Sequence, residues 1–368
     1  MVFELEARCG SARAGVCHLP NGSFHTPLFM PVGTYGAVKT VEPAELRRIG
    51  VEMMLCNGYH LYLRPGVEVV ESMGGLRGFT AWDRLVLTDS GGYQIFSLKG
   101  MTRVDERGVE FRSHLDGSIH FFTPEECVQL QVQLGADILM ALDVCPPYDA
   151  PRSEVEEATA RTSRWAARCK QTSLPEDRIL FGIIQGGVYP DLRKISAEAL
   201  TALDFSGYAI GGLSIGEPVE KTMEIVSYTE QFLPADRPRY LMGVGMPLDI
   251  LNAVERGMDM FDCVLPTRMA RNGTVFTAHG RVVLRNAKHK KSDLPIDPEC
   301  DCEVCRTFSR AYLRHLFAIG EINAARLATF HNLYFYVKMM SRIRTAIMEG
   351  GFADFKADFM AKYQEGDF

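Results

Sequence analysis

The sequence predicts an α/β fold: an irregular (β/α)8 TIM barrel with an inserted hairpin and a C-terminal zinc-binding subdomain. Eight short apolar runs alternate with segments of helical pattern, and runs without internal alternation are typical of parallel strands buried on both faces. A cluster of cysteines near the C-terminus supplies metal ligands. A doubly wound open sheet is the alternative, but no Gly-x-Gly-x-x-Gly motif follows the first strand, which disfavours a Rossmann arrangement.

The predicted strands are short and evenly distributed along the chain. In order, they span residues 27–32, 51–56, 85–88, 137–142, 179–184, 207–211, 239–243 and 259–264. A hairpin is inserted between the third and fourth strands, where residues 110–114 and 118–122 flank a turn at 115–117 that contains Asp-Gly. Eight strands with crossover helices favour a closed barrel.

The starts of several helices can be read from the sequence. Thr123 and Glu126 have the spacing of a capping box, with a proline at the first helical position. Ser153 and Glu156 repeat that spacing ahead of a helix that runs through Trp165. Further helices are predicted at residues 42–49, 247–256 and 321–344.

Composition and charge describe an ordinary globular protein with one local basic region. The net charge of −6 excludes a global basic field, yet residues 263–292 contain no Asp or Glu. That region carries Arg268, Arg271, Arg281, Arg285, Lys288, Lys290 and Lys291. It is either the footprint of a polyanionic partner or a solvated hairpin.

Cysteine usage and the N-terminus bear on the cellular location. Seven of the ten cysteines are scattered, as in proteins that keep their thiols reduced. No basic and apolar leader begins the chain, and no stretch reaches the ~20 apolar residues of a membrane helix. The sequence therefore predicts a cytoplasmic location with no membrane partner.

Candidate site residues follow the predicted strands, at the end where barrel enzymes place their active sites. These are Asp89, Asp143, Gln185, Gly212 with Leu213, Met242 and Asp262, joined by Tyr93 just after the third strand. Asp and Gln hydrogen-bond a heterocycle edge, and Tyr and Met pack against its faces. A carboxylate pair beside a base-sized slot suits chemistry at an anomeric carbon, with one carboxylate attacking and another moving protons.

Two acids lie on the last predicted strand. A basic loop at residues 267–273 is predicted to follow this strand. Asp259 and Asp262 are three residues apart, so their side chains lie on opposite faces and only one can enter a given pocket. The residues alone do not decide which one does. An ordinary buried strand whose acids cap the next loop is the other interpretation.

The C-terminal cysteines predict a structural zinc site. Cys300, Cys302 and Cys305 provide three thiolates, and His331 on a predicted helix completes a tetrahedral shell with no open position. His315 is nearer in sequence but lies in a helix that leads away from the cluster. Three reduced surface cysteines are the alternative. The predicted domains are a barrel at 1–274 with part of the C-terminal helices, a basic hairpin and zinc subdomain at 275–350, and a tail helix at 351–368.

Four motifs resemble those of the bacterial tRNA-guanine transglycosylases, also called queuine tRNA-ribosyltransferases. They are Asn57-Gly-Tyr-His-Leu-Tyr-Leu-Arg-Pro-Gly66, Thr88-Asp-Ser-Gly-Gly-Tyr-Gln94, Asp259-Met-Phe-Asp-Cys-Val-Leu-Pro-Thr-Arg268, and the Cys-x-Cys-x2-Cys cluster. The resemblance covers nearly the whole chain. It implies an irregular barrel, one structural Zn2+ per chain, no nucleotide cofactor, and a homodimer that acts on tRNA and not on DNA.

The resemblance also implies a role for each matching residue. Asp262 would be the nucleophile at the ribose anomeric carbon, and Asp89 the general acid and base. The base would be held by Asp143, Gln185, Gly212, Leu213, Tyr93, Met242 and Cys145, and the anticodon loop by Arg268 and Arg271. The reaction would exchange the wobble guanine of tRNAs with a GUN anticodon for a 7-deazaguanine, through a covalent tRNA intermediate.

The identity of the incoming base depends on the substituent side of the pocket. Cys145 and Ile215 resemble the bacterial pattern, which takes 7-aminomethyl-7-deazaguanine; more room would admit queuine. Ser214 departs from the alanine common in bacterial members, and Asn57-Gly58 from the usual Asn-Thr. Two other functions remain open: a zinc-dependent hydrolase, which would need an open metal site at the rim, and a non-catalytic RNA-binding subunit.

Overall fold

Eight parallel strands form a closed barrel in the computed structural model, which describes residues 2–97 and 102–367. The strands are β1 (Val2–Cys9), β2 (Ala12–Leu19), β3 (Gly22–Thr26), β4 (Leu28–Gly33), β5 (Met53–Asn57), β6 (Leu85–Asp89), β7 (Thr102–Val104), β8 (Val109–Arg112), β9 (Ile119–Phe122), β10 (Ile138–Met140), β11 (Ile179–Ile184), β12 (Gly207–Ile210), β13 (Arg239–Leu241), β14 (Met260–Cys263), β15 (Thr274–Thr277), β16 (Gly280–Val283) and β17 (Gln364–Asp367).

Helices connect the barrel strands and dominate the C-terminal part of the chain. They are α1 (Pro43–Ile49), α2 (Gly58–Leu63), α3 (Val67–Ser72), α4 (Gly75–Thr80), α5 (Gly92–Ser97), α6 (Pro124–Gln133), α7 (Arg152–Gln171), α8 (Pro190–Thr201), α9 (Val219–Glu230), α10 (Pro247–Glu255), α11 (Leu265–Arg271), α12 (Glu303–Thr307), α13 (Arg310–Ala318), α14 (Ile322–Met348) and α15 (Phe352–Lys362), with a 3-10 helix at Ala287–Lys291. None of the described helices has both the length and the apolar character of a membrane span.

The barrel strands follow the chain order, and each predicted strand corresponds to one of them. The order is β4, β5, β6, β10, β11, β12, β13 and β14, and β14 closes the barrel by pairing in parallel with β4. Met260 pairs with Leu28 and Asp262 with Met30. The predicted barrel is confirmed, and the doubly wound open sheet is excluded because such a sheet would leave two free edges.

Alternation along the barrel strands carries selected side chains inward. Leu55, Leu87, Ile183 and Met260 belong to one buried apolar cluster that also contains residues of the other barrel strands. Since side chains alternate, the residue two positions further on lies on the same inner face. Those next inward positions are Asn57, Asp89, Gln185 and Asp262. The polar rim is therefore the continuation of the apolar barrel interior past its last hydrophobic layer.

An antiparallel sheet of β1, β2 and β3, which the sequence did not predict, covers the opposite end of the barrel. Cys17 and Phe24 of this sheet join the same buried cluster as the barrel interior. Arg13 pairs with Asp259 at 3.2 Å, and Asn21 donates a hydrogen bond to Asp137 at 3.0 Å. The two acids are buried and directly precede the barrel strands β10 and β14, so they anchor the sheet to the N-terminal end of the barrel.

The structure corrects two local predictions. The residues predicted as a basic loop, 267–273, lie largely in helix α11, which has Pro266 in its first turn. Proline has the backbone angle that a first helical turn needs, so Pro266 favours the start of a helix here, and the chain does not continue as a loop. The predicted capping box at Ser153 is wrong, because α7 already begins at Arg152 after Pro151 and has no side-chain cap. The capping box of α6 at Thr123 is confirmed.

The two predicted hairpins are present with additions. Strands β8 and β9 pair as predicted, and β7 adds a third strand to that sheet. Strands β15 and β16 form the basic hairpin, to which β17 pairs in parallel. The predicted helix at 321–344 is confirmed as α14, which runs four residues further.

Candidate active site and metal centre

Asp262 lies at the rim with one carboxylate oxygen held by the protein. The hydroxyl of Tyr240 donates to Oδ1 at 2.5 Å, and the backbone N–H of Gly243 donates to the same oxygen at 2.9 Å. Among the described residues, Oδ2 receives no hydrogen bond. Burial raises the pKa of Asp262, while these two donors lower it. One oxygen is thus oriented by the protein, and the other is free of hydrogen bonds from the described residues.

Asp259 lies on the opposite face of the same strand, as the odd spacing predicted. Its carboxylate accepts a hydrogen bond from the N–H of Arg239 at 2.8 Å and pairs with Arg13. The side chain is fully buried at the far end of the barrel. Asp262 is therefore the member of the pair that reaches the rim.

Asp89 ends β6 in a different environment from that of Asp262. Asn57 donates to its Oδ2 at 2.5 Å, and the N–H groups of Gly58 and Gly91 donate to Oδ1 at 3.0 and 3.1 Å. Burial raises the pKa of Asp89 to about 7, assisted by the negative charges of Asp262 and Asp143. A carboxyl group that titrates near neutral pH can both give and take a proton.

Asp143 and Gln185 form a buried hydrogen-bonding pair. Gln185 Nε2 donates to Asp143 Oδ2 at 2.6 Å, and burial raises the pKa of Asp143 to about 6. Gln185 Oε1 is buried and has no hydrogen-bond partner among the described residues, so it is an acceptor available to a ligand. Cys145 lies against Gln185, and burial raises the pKa of its thiol to about 12, so the group is neutral.

The loop after β12 approaches Gln185 closely. Gly212 has φ of +64°, and a Cβ there would lie 2.3 Å from Gln185 Oε1, so only glycine fits. Leu213 is buried, and Ile215 is half-buried. Glu217 accepts hydrogen bonds from the N–H groups of Ser214 and Ile215, the latter at 3.1 Å. The loop therefore presents its backbone beside the amide of Gln185.

The two predicted ring-stacking residues lie in different surroundings. Tyr93, in α5, has 55% of its surface exposed. Met242 follows β13 and packs against the apolar barrel interior. Both lie after the C-terminal ends of their strands, and a flat ligand would have to enter between them for the predicted sandwich to form.

Arg268 and Arg271 share one face of α11, directly after the strand that carries Asp262. Arg268 is exposed, and Arg271 is half-buried, with no hydrogen-bond partner for its Nη1 in the part of the chain that the structure describes. Burial and the charge of Arg268 lower the pKa of Arg271. Neither arginine forms an ion pair with another described residue, and two such cations beside a carboxylate site are suited to a polyanion.

The C-terminal cysteines and His331 come together as predicted. The ligand atoms of Cys300, Cys302, Cys305 and His331 lie within 4.8 Å of one another. The three sulfurs are 3.8, 3.5 and 3.3 Å from His331 Nδ1. Tetrahedral zinc, with bonds of ~2.3 Å to sulfur and ~2.0 Å to nitrogen, separates such atoms by about 3.5 Å.

The second nitrogen of His331 supports this metal site. His331 Nε2 is 2.7 Å from the backbone oxygen of Phe276 in β15. A carbonyl can only accept, so Nε2 carries the proton and Nδ1 presents its lone pair to the cysteines. His315 is exposed on α13 and stands outside the group of four. The donor set fits a structural zinc ion that joins α14 to the basic hairpin.

Several residues that shape the site escaped sequence reasoning about function. Tyr240 and Asn57 hold the two rim carboxylates, Glu217 holds the loop after β12, and Ser90 is hydrogen-bonded to Asp143. The inward position of Asn57, two residues after Leu55, could have revealed it. Glu217 gave no such signal, because its partners, two backbone N–H groups of its own loop and the hydroxyl of Thr222 in α9, follow no sequence pattern.

Fold and site together define a class of protein. A parallel barrel carries two rim carboxylates of different proton affinity, beside a buried amide and glycine backbone that suit a heterocycle. The four-ligand centre lies at the C-terminal hairpin and provides no open position to the rim. This is a barrel enzyme of the glycosyl-transferring class, equipped for bond exchange at an anomeric carbon.

Comparison with known proteins gives the family. The family model described as queuine tRNA-ribosyltransferase matches residues 8–365. A queuine tRNA-ribosyltransferase from Ruminiclostridium cellulolyticum is 54% identical over 366 residues, covering 99% of this chain and 98% of that protein. Those of Caldanaerobacter subterraneus and Geobacillus kaustophilus are 53% and 52% identical, each covering 98% of this chain and 96% of theirs. The chain belongs to the queuine tRNA-ribosyltransferase family, the tRNA-guanine transglycosylases.

Proposed function

We propose that this enzyme replaces the wobble guanine of tRNAs with a GUN anticodon by 7-aminomethyl-7-deazaguanine, through a covalent enzyme–tRNA intermediate. The observation that carries the proposal is the asymmetry of the two rim carboxylates. Asp262 has one oxygen oriented by two donors and one left open, whereas Asp89 has a pKa of about 7. The first suits a nucleophile and the second suits a proton carrier.

In the first half-reaction, Asp262 Oδ2 attacks C1′ of the ribose. The bond between C1′ and N9 of guanine breaks, its electron pair passes to the base, and Asp89 transfers its proton to the departing base and becomes ionised. Ester formation removes the charge of Asp262, which is one of the charges that raise the pKa of Asp89. Loss of that charge lowers the proton affinity of Asp89 as the base leaves, so the two events assist each other.

In the second half-reaction, the incoming base loses its N9 proton to ionised Asp89 and attacks C1′. The ester bond breaks, and its electron pair returns to Asp262. Asp89 is protonated again, and the enzyme is ready for another tRNA. The first half-reaction requires the wobble guanine to be extruded from the anticodon loop, which single-stranded RNA permits, and the second requires the same ribose to stay in the site.

The base would be recognised on its polar edge by Asp143, Gln185 and the backbone of Gly212 and Leu213. Gln185 Oε1 accepts hydrogen bonds, and Asp143 accepts them when ionised. Cys145 is neutral and buried, so it would line the base pocket as an apolar group and would not form a charged contact with the base. Cys145 and Ile215 leave room for a small aminomethyl substituent in preference to queuine.

Asp89 gives an expected pH dependence. The half-reaction with tRNA needs protonated Asp89, so kcat/KM for tRNA should fall as pH rises through about 7. The half-reaction with the free base needs ionised Asp89, so kcat/KM for guanine should fall at lower pH. Steady-state profiles of both constants test this. If the residual kcat/KM for tRNA of an Asp89→Asn variant still fell as pH rises through about 7, Asp89 would not be the group that titrates.

The anticodon loop would bind across α11, where Arg268 and Arg271 are placed. The double variant Arg268→Ala, Arg271→Ala should weaken tRNA binding and reduce the slope of log affinity against log salt by about 1.4, or about 0.7 per phosphate. A double alanine variant of Lys194 and Lys221, on the outer helices α8 and α9, is the charge-matched control. Equal salt slopes for both variants would rule out the arginines as phosphate contacts.

Incorporation of labelled guanine into unmodified tRNA with a GUN anticodon tests the proposed function directly. Exchange should occur without added nucleotide, and unlabelled 7-aminomethyl-7-deazaguanine should compete better than queuine. Stronger competition by queuine would reverse the choice of base. Tight tRNA binding without any exchange would instead identify a non-catalytic subunit.

A further inference from the structure

Arg193 is a fully buried cation in α8, directly behind the base-recognition loops. Its Nε donates to the carbonyl of Gly187 at 2.7 Å, and its Nη1 to those of Ile184 and Gly211 at 2.9 and 2.8 Å. Its Nη2 donates to the carbonyl of Gly212 at 3.3 Å. One guanidinium thus joins the turn after β11, which carries Gln185, to the turn after β12.

The partners of Arg193 differ from those of the other deeply buried arginines. Arg13 and Arg239, at the opposite end of the barrel, pair with Asp259 at 3.2 Å and with Glu230 at 2.5 Å. All hydrogen bonds described for Arg193 end on backbone carbonyls. A buried charge without a contacting carboxylate is costly for stability. That cost is incurred beside the rim, where carbonyl orientation matters for function.

The contact to Gly212 determines the direction of a peptide group. In a planar trans peptide the C=O and the following N–H point in opposite directions. Since the Gly212 carbonyl points at Arg193, the Leu213 N–H points away from α8. Glu217 accepts hydrogen bonds from the next two N–H groups. Three consecutive peptides are therefore held by side chains, the first by a buried cation and the next two by a carboxylate.

Ser196 provides a second hydrogen-bonded connection from α8 to the turn after β11. It lies three residues after Arg193, on the same face of α8, and is fully buried. Its Oγ accepts a hydrogen bond from the backbone N–H of Gln185 at 3.1 Å. Helix α8 therefore holds the backbone of both predicted base-binding turns.

We propose that Arg193, assisted by Ser196, is a positioning residue for base recognition. It holds the Gly212 carbonyl away from the pocket, so that the Leu213 N–H is presented to the base beside the Gln185 amide. This inference rests on the proposed function. It adds that affinity for the free base depends on residues of α8 that do not touch the base.

The test compares two affinities in Arg193→Lys. Lysine keeps the charge but lacks the planar guanidinium group, so it cannot hold the carbonyls of the turns after β11 and β12 in the same geometry. KM for guanine should rise at least tenfold, while the dissociation constant for tRNA changes less than twofold, because phosphate contacts dominate it. Arg239→Lys, a buried change at the far end of the barrel, should leave both affinities of the folded protein unchanged.

Ser196→Ala keeps the inference testable if Arg193→Lys does not fold. It removes one hydrogen bond without adding bulk, and it should raise KM for guanine about three- to tenfold. Exposed Lys194→Ala in the same helix is its control. Unchanged KM for guanine in folded Arg193→Lys, or in Ser196→Ala if that variant alone folds, would overturn the inference. Absence of guanine exchange by the wild-type protein would instead overturn the proposed function.

Discussion

Asp262→Asn should abolish base exchange and leave the protein folded. The amide is isosteric, and its Oδ1 can still accept the hydrogen bonds from Tyr240 and Gly243. An amide oxygen is a poor nucleophile at an anomeric carbon, so exchange should fall by about four orders of magnitude or more. The measurement is incorporation of labelled guanine, together with denaturing gels of enzyme incubated with tRNA, in which the covalent complex migrates separately.

Asp259→Asn is the matched control on the same strand. It weakens a buried ion pair with Arg13, so it should lower the thermal stability. The folded fraction should still form the covalent tRNA complex, because Asp259 lies on the opposite face of β14. A covalent adduct on Asp262→Asn, or loss of the adduct only in Asp259→Asn, would show that Asp262 is not the nucleophile.

The barrel was predictable because its signals are local. Continuous apolar runs mark the eight barrel strands, and the alternation that places Met260 inside the barrel also places Asp262 at the rim. The odd spacing from Asp259 then puts the second acid outside. The sequence alone did not decide which acid faces the pocket, because inside and outside are defined only once the barrel closes.

The parts that escaped prediction depend on contacts between distant residues. The sheet of β1 to β3 is anchored by Arg13 to Asp259 and by Asn21 to Asp137, pairs more than 100 residues apart. The hydrogen bond from Asn57 to Asp89 joins neighbouring strands; spacing predicts that Asn57 faces inward but not which carboxylate it contacts. Such partners become visible only when the register of the barrel is known.

Helix α11 shows how one residue type can give a wrong prediction. Pro266 can end a strand or begin a helix; the residues after it were predicted as a loop, whereas Pro266 lies in the first turn of α11. The correction matters for function, because it places Arg268 and Arg271 on one helical face. A rigid face presents two cations at a defined separation, which a flexible loop would not.

Cys302→Ser should remove the metal and destabilise the C-terminal region. Three thiolates and His331 Nδ1 converge, and His331 Nε2 is committed to the Phe276 carbonyl. The site therefore joins the cysteine loop to α14 and to β15. Structural zinc contributes about 10–16 kcal/mol in zinc-finger peptides, so losing one of four ligands should lower stability by several kcal/mol. Elemental analysis should show one zinc per wild-type chain and far less in the variant.

Two controls separate the metal site from general cysteine and histidine effects. Cys9→Ser alters a thiol outside the cluster, and His315→Ala alters the other nearby histidine, so both should keep a full equivalent of zinc. His331→Ala should lose it. Proteolysis should be faster in the region of residues 275–350 for the two variants that lose zinc. A full zinc content in Cys302→Ser, or zinc loss in His315→Ala alone, would contradict the assigned ligand set, because the four atoms that converge here would then not be the ones that bind.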